Sequence, residues 1–161
     1  MRIRIAVAAI LLALTWGNTA HADETENLIV KYYSDILDRS PDAAGLAYWK
    51  AEIERVAVLR VDRKEGFIAL AKLFFNSDEY IAQGKSNVQY AADLYRTFSN
   101  RAPEQAGLDY WAALLDQGVG RNVILNYFVY GEEFSLYMRN LFGADSSLPE
   151  CNLVNDLYRG L

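Results

Sequence analysis

Apolar residues recur along most of this chain at the spacing of a helix face. Ile29, Tyr32, Tyr33, Ile36 and Leu37 stand at i, i+3, i+4, i+7 and i+8, one stripe of an amphipathic helix. Leu46, Trp49, Ile53 and Val56 carry the stripe of a second helix, and Phe67, Leu70, Ala71 and Phe74 that of a third. Ser40-Pro41-Asp42 predicts a helix start, with Ser as N-cap, Pro at the first helical position and Asp at the positive end of the dipole. Arg60 to Gly66 (RVDRKEG) reads as a charged turn, and Asn76 to Glu79 as the cap of a short helix holding Tyr80. Val56 to Val61 comes nearest to a strand pattern and reads as a frayed helix end.

The layout then returns. RSPDAAGLAYW (Arg39 to Trp49) recurs sixty-two residues later as RAPEQAGLDYW (Arg101 to Trp111), with seven of eleven positions identical. Ala91, Leu94, Tyr95 and Phe98 repeat the first stripe, Pro103 to Leu115 the second, closed by Gly118, and Val123, Ile124, Tyr127 and Phe128 the third. Gly131 to Phe134 stands where Ser77 to Tyr80 stood, at an offset of fifty-four, so the first unit carries eight extra residues between Trp49 and Phe67. The expected fold is all-α: a small orthogonal helical domain of two tandem repeats, 23–86 and 87–142, that bury their apolar faces against each other. A last helix within 143–161, echoing Ala92 to Arg96 in Leu153 to Arg159, is expected to pack on the second repeat.

The N-terminus changes the picture of compartment. Arg2 and Arg4 precede an apolar run, Ile5 to Leu14, and Ala20-His21-Ala22 has the form of a cleavage site. This predicts a signal peptide over 1–22 and an exported chain, periplasmic or secreted, starting near Asp23. The run is shorter than the ~20 apolar residues of a spanning helix, so no membrane span is expected after cleavage. Of 16 basic and 21 acidic side chains, cleavage removes Arg2 and Arg4 and leaves 14 against 21. An acidic chain with scattered Lys and Arg argues against nucleic acid as a partner and against anionic membrane surfaces. Cys151 has no internal partner and is expected either buried or available to a second chain.

Cleavage also removes His21, the one histidine, so no Ser-His-Asp, Cys-His or zinc site of the usual ligand types can form. No phosphate loop or dinucleotide fingerprint is present. A calcium loop read from Asp38 fails at Ala43 and Trp49, where Gly and Glu are needed. The acids Asp78/Glu79 and Glu132/Glu133 are adjacent and point about 100° apart, a poor arrangement for a glycosidase pair. No catalytic, metal-ligating or cofactor-binding residue is assigned, and no cofactor is expected. Gly45 and Gly107 predict close passage of the preceding helix, whose backbone a Cβ would push away; Trp49 and Trp111, one turn on, read as core anchors. Arg39 and Arg101 end the first helices, where a cation suits the dipole, and each can reach the acid three residues on, Asp42 or Glu104. Tyr48 and Tyr110, about 100° from the tryptophans, are candidate contacts for a partner, together with Arg60, Arg63 and Lys64 of the first-unit insert.

The pattern Tyr…R-x-P-[DE]-x-x-G-L-x-Y-W, followed by an apolar helix, a Phe and a short acidic cap, resembles the bacterial domain-of-unknown-function family 4214. The residues are Tyr33, Arg39, Pro41, Asp42, Gly45, Leu46, Tyr48, Trp49, Phe74 and Ser77 to Tyr80, then Tyr95, Arg101, Pro103, Glu104, Gly107, Leu108, Tyr110, Trp111, Phe128 and Gly131 to Phe134. The first copy departs by its insert and by lacking the Gly that closes the second helix; the second has Asn100 where a Gly often precedes the Arg. The resemblance implies a small helical module, often tandem, in exported bacterial proteins, with no catalytic residues. The functional expectation is an exported non-catalytic module binding a protein or glycan at the cell envelope or outside the cell. The alternatives are a carboxylate-based enzyme acting on glycan and a self-associating structural protein.

Overall fold

A computed structural model describes residues 22–143. The predicted signal segment up to residue 21, the C-terminal helix expected beyond 143 and Cys151 lie outside the described residues. Every regular element among the described residues is an α-helix. These are α1 (22–37), α2 (Ala43–Val58), α3 (Arg63–Phe75), α4 (Asp78–Ala82), α5 (Asn87–Ser99), α6 (Gln105–Asp116), α7 (Arg121–Val129) and α8 (Glu132–Phe142).

Local chemistry accounts for most of the boundaries. α1 and α5 end on Asp38 and Asn100 in the left-handed conformation (φ 53° and 48°), where short polar side chains are the best tolerated after glycine. The start of α2 corrects the sequence expectation: Asp42, not Ser40, is the N-cap, and its carboxylate accepts from the Gly45 N–H at 2.8 Å. Pro41 therefore lies before the helix, where its missing N–H costs nothing. That backbone N–H holds the Asp42 carboxyl below the usual carboxylate range. Ser77 caps α4 through the Tyr80 N–H, and Ser86 with Gln89 forms a capping box on α5.

The eight-residue insert is not the charged turn expected of it. α2 is 16 residues long against 12 for α6, and α3 is 13 against 9 for α7. The insert thus adds one turn to each of two consecutive helices and leaves their connection, residues 59–62 or 117–120, unchanged in length. The connections close in the same way. Arg60 N–H donates to Ala57 and Val61 N–H to Val56, as Gly118 donates to Leu115 and Val119 to Leu114. This is the left-handed helix stop that glycine serves best, and Arg60 occupies it with φ 59°. Arg63, Lys64, Glu65 and Gly66 belong to α3, which Asp62 caps.

One continuous core spans both halves. Phe98 of α5 touches the rings of Tyr32, Phe75, Phe128 and Phe134, which come from α1, α3, α7 and α8. α5 packs on α6, α7 and α8, and α3 reaches α8. Two of these pairs, with Tyr32 and Phe134, are edge to face; aromatic pairs add about 0.5–1.5 kcal/mol each beyond burial, so the Tyr and Phe rings contribute much of the cohesion. Within it Asp93 is buried, accepting from the Tyr80 hydroxyl at 2.8 Å and paired with Arg96 and, at 3.7 Å, Lys85.

Candidate functional site

The repeated residues form the same knot in each half. The guanidinium of Arg39 lies 5.0 Å above the ring of Tyr33, and that of Arg101 lies 5.1 Å above Tyr95. Tyr33 and Tyr95 meet Phe74 and Phe128 edge to face at 4.7 and 5.0 Å. The indole N–H of Trp111 donates to the Tyr95 hydroxyl at 3.2 Å. Each Arg then reaches the first turn of the last helix of its half. Nη2 of Arg39 donates to Glu79 at 3.0 Å, and Nε of Arg101 to Glu133 at 2.7 Å. These pairs replace the expected partners Asp42 and Glu104, because the turn after Phe74 or Phe128 brings an acid beside the guanidinium. Both acids are held below the usual carboxylate range by the hydrogen bond from their arginine.

The glycines serve this knot. A Cβ on Gly45 would lie 2.6 Å from the Tyr33 hydroxyl, and one on Gly107 would lie 2.5 Å from that of Tyr95. The preceding helix does pass close, as expected, but the group that needs the space is a side-chain hydroxyl rather than its backbone. Trp49 and Trp111 are half-buried, leaning on the core from its edge.

Of the sequence-predicted contact residues, Tyr48 and Tyr110 are exposed at 59% and 58%. Arg60 is exposed at its helix stop. Arg63 and Lys64 are drawn into the fold: Arg63 pairs with Glu54 at 3.1 Å and covers the ring of Phe142, and Lys64 Nζ bonds the Ser135 hydroxyl at 3.4 Å. The structure does not gather these five residues into one place; Tyr110 alone of them touches the cluster described next.

That cluster lies in the second half. The ring of Trp111 contacts Tyr110 at 4.9 Å and Tyr127 at 5.8 Å between centroids. Tyr127 is 65% exposed. A groove of about 180 Å³ runs beside them, its lining including the rings of Trp111, Tyr127 and Phe128 and the polar side chains of Arg101, Glu132 and Glu133. Next to it, Val123, Tyr127 and Tyr130 border a shallower depression, and Lys72 donates to the Tyr130 hydroxyl at 2.9 Å.

Sequence reasoning placed Val123 and Tyr127 on the apolar stripe of their helix, yet both are half or more exposed while Ile124 is fully buried. The signal was present in the comparison of the halves. Tyr127 and Gly131, which line the groove, stand where the first half has Leu73 and Ser77, so two of its lining positions are ones at which the units differ. Among the described residues no cluster of three or more acidic, His or Cys side chains is placed to hold a metal ion, and no helix is long and apolar enough to cross a membrane.

No curated protein and no solved structure matches this chain. The match is to a family model: residues 71–137, less than half of the 161-residue chain, fit the one described as Domain of unknown function (DUF4214), a stretch holding the Tyr95, Arg101, Gly107, Trp111 and Glu133 of the second knot.

Proposed function

We propose that the chain is an exported, non-catalytic module built from two tandem copies of this family's unit, and that it binds a protein or glycan at the cell envelope or outside the cell. The observation that carries the reading is the aromatic run Tyr110–Trp111–Tyr127, with both tyrosines exposed, beside a groove whose lining also holds polar groups. Rigid aromatic rings flanked by a few polar groups are the usual furniture of a binding surface. The acids nearest to it support a non-catalytic role. Glu133 is engaged by Arg101 and its carboxyl is pushed down, the opposite of what a general acid needs.

Retention of the mature protein, residues 23–161, on whole peptidoglycan, on exopolysaccharide and on envelope proteins tests the reading. A Tyr48→Ala, Tyr110→Ala variant serves as control. Selective retention on one of these, lost in the variant, is the expected result. Equal retention on all of them, or on none, would remove the binding-module reading.

A further inference from the structure

We propose that the groove between Trp111, Tyr127 and the first turn of α8 is a sugar site that takes one pyranose ring of a neutral glycan. This rests on the binding-module reading and adds the ligand class and its seat. Trp111 is held in place by its N–H bond to Tyr95 and by Phe128 at 5.3 Å, and Tyr127 leans beside it at an interplanar angle of 44°. Together with Phe128 these rings give the groove an aromatic lining, a surface on which the C–H face of a sugar ring can stack.

The polar part of the lining supplies hydrogen bonds of both senses. No side chain caps α8, since Gly131 stands where Ser77 caps α4, so first-turn N–H groups are open to an acceptor. Glu132 lines the groove and forms no ion pair or hydrogen bond among the described residues, leaving its carboxylate as an acceptor. A ring bearing several hydroxyls, each donor and acceptor, matches this set.

Charge then narrows the class. Arg101 is compensated by Glu133. Glu132 sits at the positive end of α8, worth about +0.5 charge. This part of the lining is close to neutral, so neither an anion nor a cation is selected. Size narrows it further: about 180 Å³ falls below the ~300–1,000 Å³ of sites that engulf drug-sized ligands, leaving room for one ring of a chain.

The test is an NMR titration of ¹⁵N-labelled residues 23–161 with cellohexaose, maltohexaose, mannohexaose and chitohexaose. Chitosan hexamer and alginate hexamer serve as cationic and anionic arms. The expected result is movement of the Trp111 indole and the Glu132, Glu133 and Phe134 amides with a neutral oligosaccharide, the Trp49 indole staying still. Tyr127→Ala is expected to weaken that binding about tenfold, and Glu132→Gln by a smaller factor, at exposed sites where the fold survives. The proposal is overturned if no neutral oligosaccharide moves those resonances, if the charged hexamers bind better, or if Tyr127→Ala binds as well as the parent. Running Tyr127→Ala in the retention assay separates the two readings. Polymer or protein retention unaffected by Tyr127→Ala leaves a binding module without this site, whereas no retention of any form fails both.

Discussion

The hydroxyl of Tyr95 lies 2.5 Å from the point where a Cβ on Gly107 would stand, and Tyr33 stands over Gly45 in the same way at 2.6 Å. Each glycine sits inside a helix, where it costs about 1 kcal/mol relative to alanine. The space it leaves is filled by a tyrosine that carries an arginine on its ring, and Tyr95 also accepts the N–H of Trp111. The local cost is offset by this four-residue contact, and four expectations follow from it and its surroundings.

Gly107→Ala should destabilise the protein by about 1–3 kcal/mol, the usual range for overpacking, despite its better helix propensity. Tyr95→Phe removes the hydroxyl that the new methyl would meet, so the double variant should lose less than the sum of the two single losses. Urea denaturation of all four proteins gives the coupling. Additive losses would show that the Tyr95 hydroxyl is not what excludes the Cβ.

Arg60→Gly should stabilise the protein by about 1 kcal/mol, because Arg60 holds a left-handed conformation that costs a residue with a Cβ roughly 1–2 kcal/mol. Gly118→Ala at the equivalent stop should destabilise by a similar amount, although nothing lies within 4 Å of the new methyl. Thermal melts decide both signs. If Arg60 also contacts a partner, retention falls in the same variant whose stability rises.

The Arg39–Glu79 and Arg101–Glu133 pairs should make acid unfolding steeper. Both carboxyls are lowered in the fold by their arginines, so their contribution is complete above the unfolded Glu value of about 4.3 and fades as pH falls through the folded value. The side chains are 41%/44% and 43%/53% exposed, which limits each pair to about 0.2–1 kcal/mol. A Glu79→Gln, Glu133→Gln variant should show a shallower loss of stability below about pH 4.3 and a weaker dependence on salt. An unchanged acid limb in denaturant titrations would contradict this.

Asp93 should act in the opposite direction. Burial pushes its carboxyl up, against the pull of Tyr80, Lys85 and Arg96, so its effect on stability declines as pH rises from the unfolded value of about 3.9 through the raised one. Asp93→Asn should flatten that slope. Asp93→Ala should cost about 1–3 kcal/mol, because the Tyr80 hydroxyl is left buried without its acceptor. Unfolding measured from pH 3 to pH 7 (roughly the carboxylate range) separates the two variants.

The halves of this chain were legible to different depths. Helix stripes such as Ile29–Tyr32–Tyr33–Ile36 were readable because their spacing alone puts them on one face, and all four are buried. The Ser77 cap was readable for the same local reason. The insert was countable but not interpretable. Its charged composition suggested a turn, yet adding four residues to each of two helices preserves helical phase closely enough for both to keep packing. Of the groove, Trp111 and the acidic cap were in view, while Tyr127 was counted as core.

What the sequence by itself determined is what short-range chemistry controls: the helical segments, the recurrence of one sequence pattern and the cap at Ser77. Only the tertiary structure decided which acid each arginine meets, since Glu79 is 40 residues from Arg39 and Glu133 is 32 from Arg101. It alone placed a tyrosine hydroxyl in the space of each glycine and turned Tyr127 outward beside a buried Ile124. The reason is geometric. Periodicity says which residues share a face, but the way neighbouring helices pack decides which edge of that face is covered and which is left to solvent.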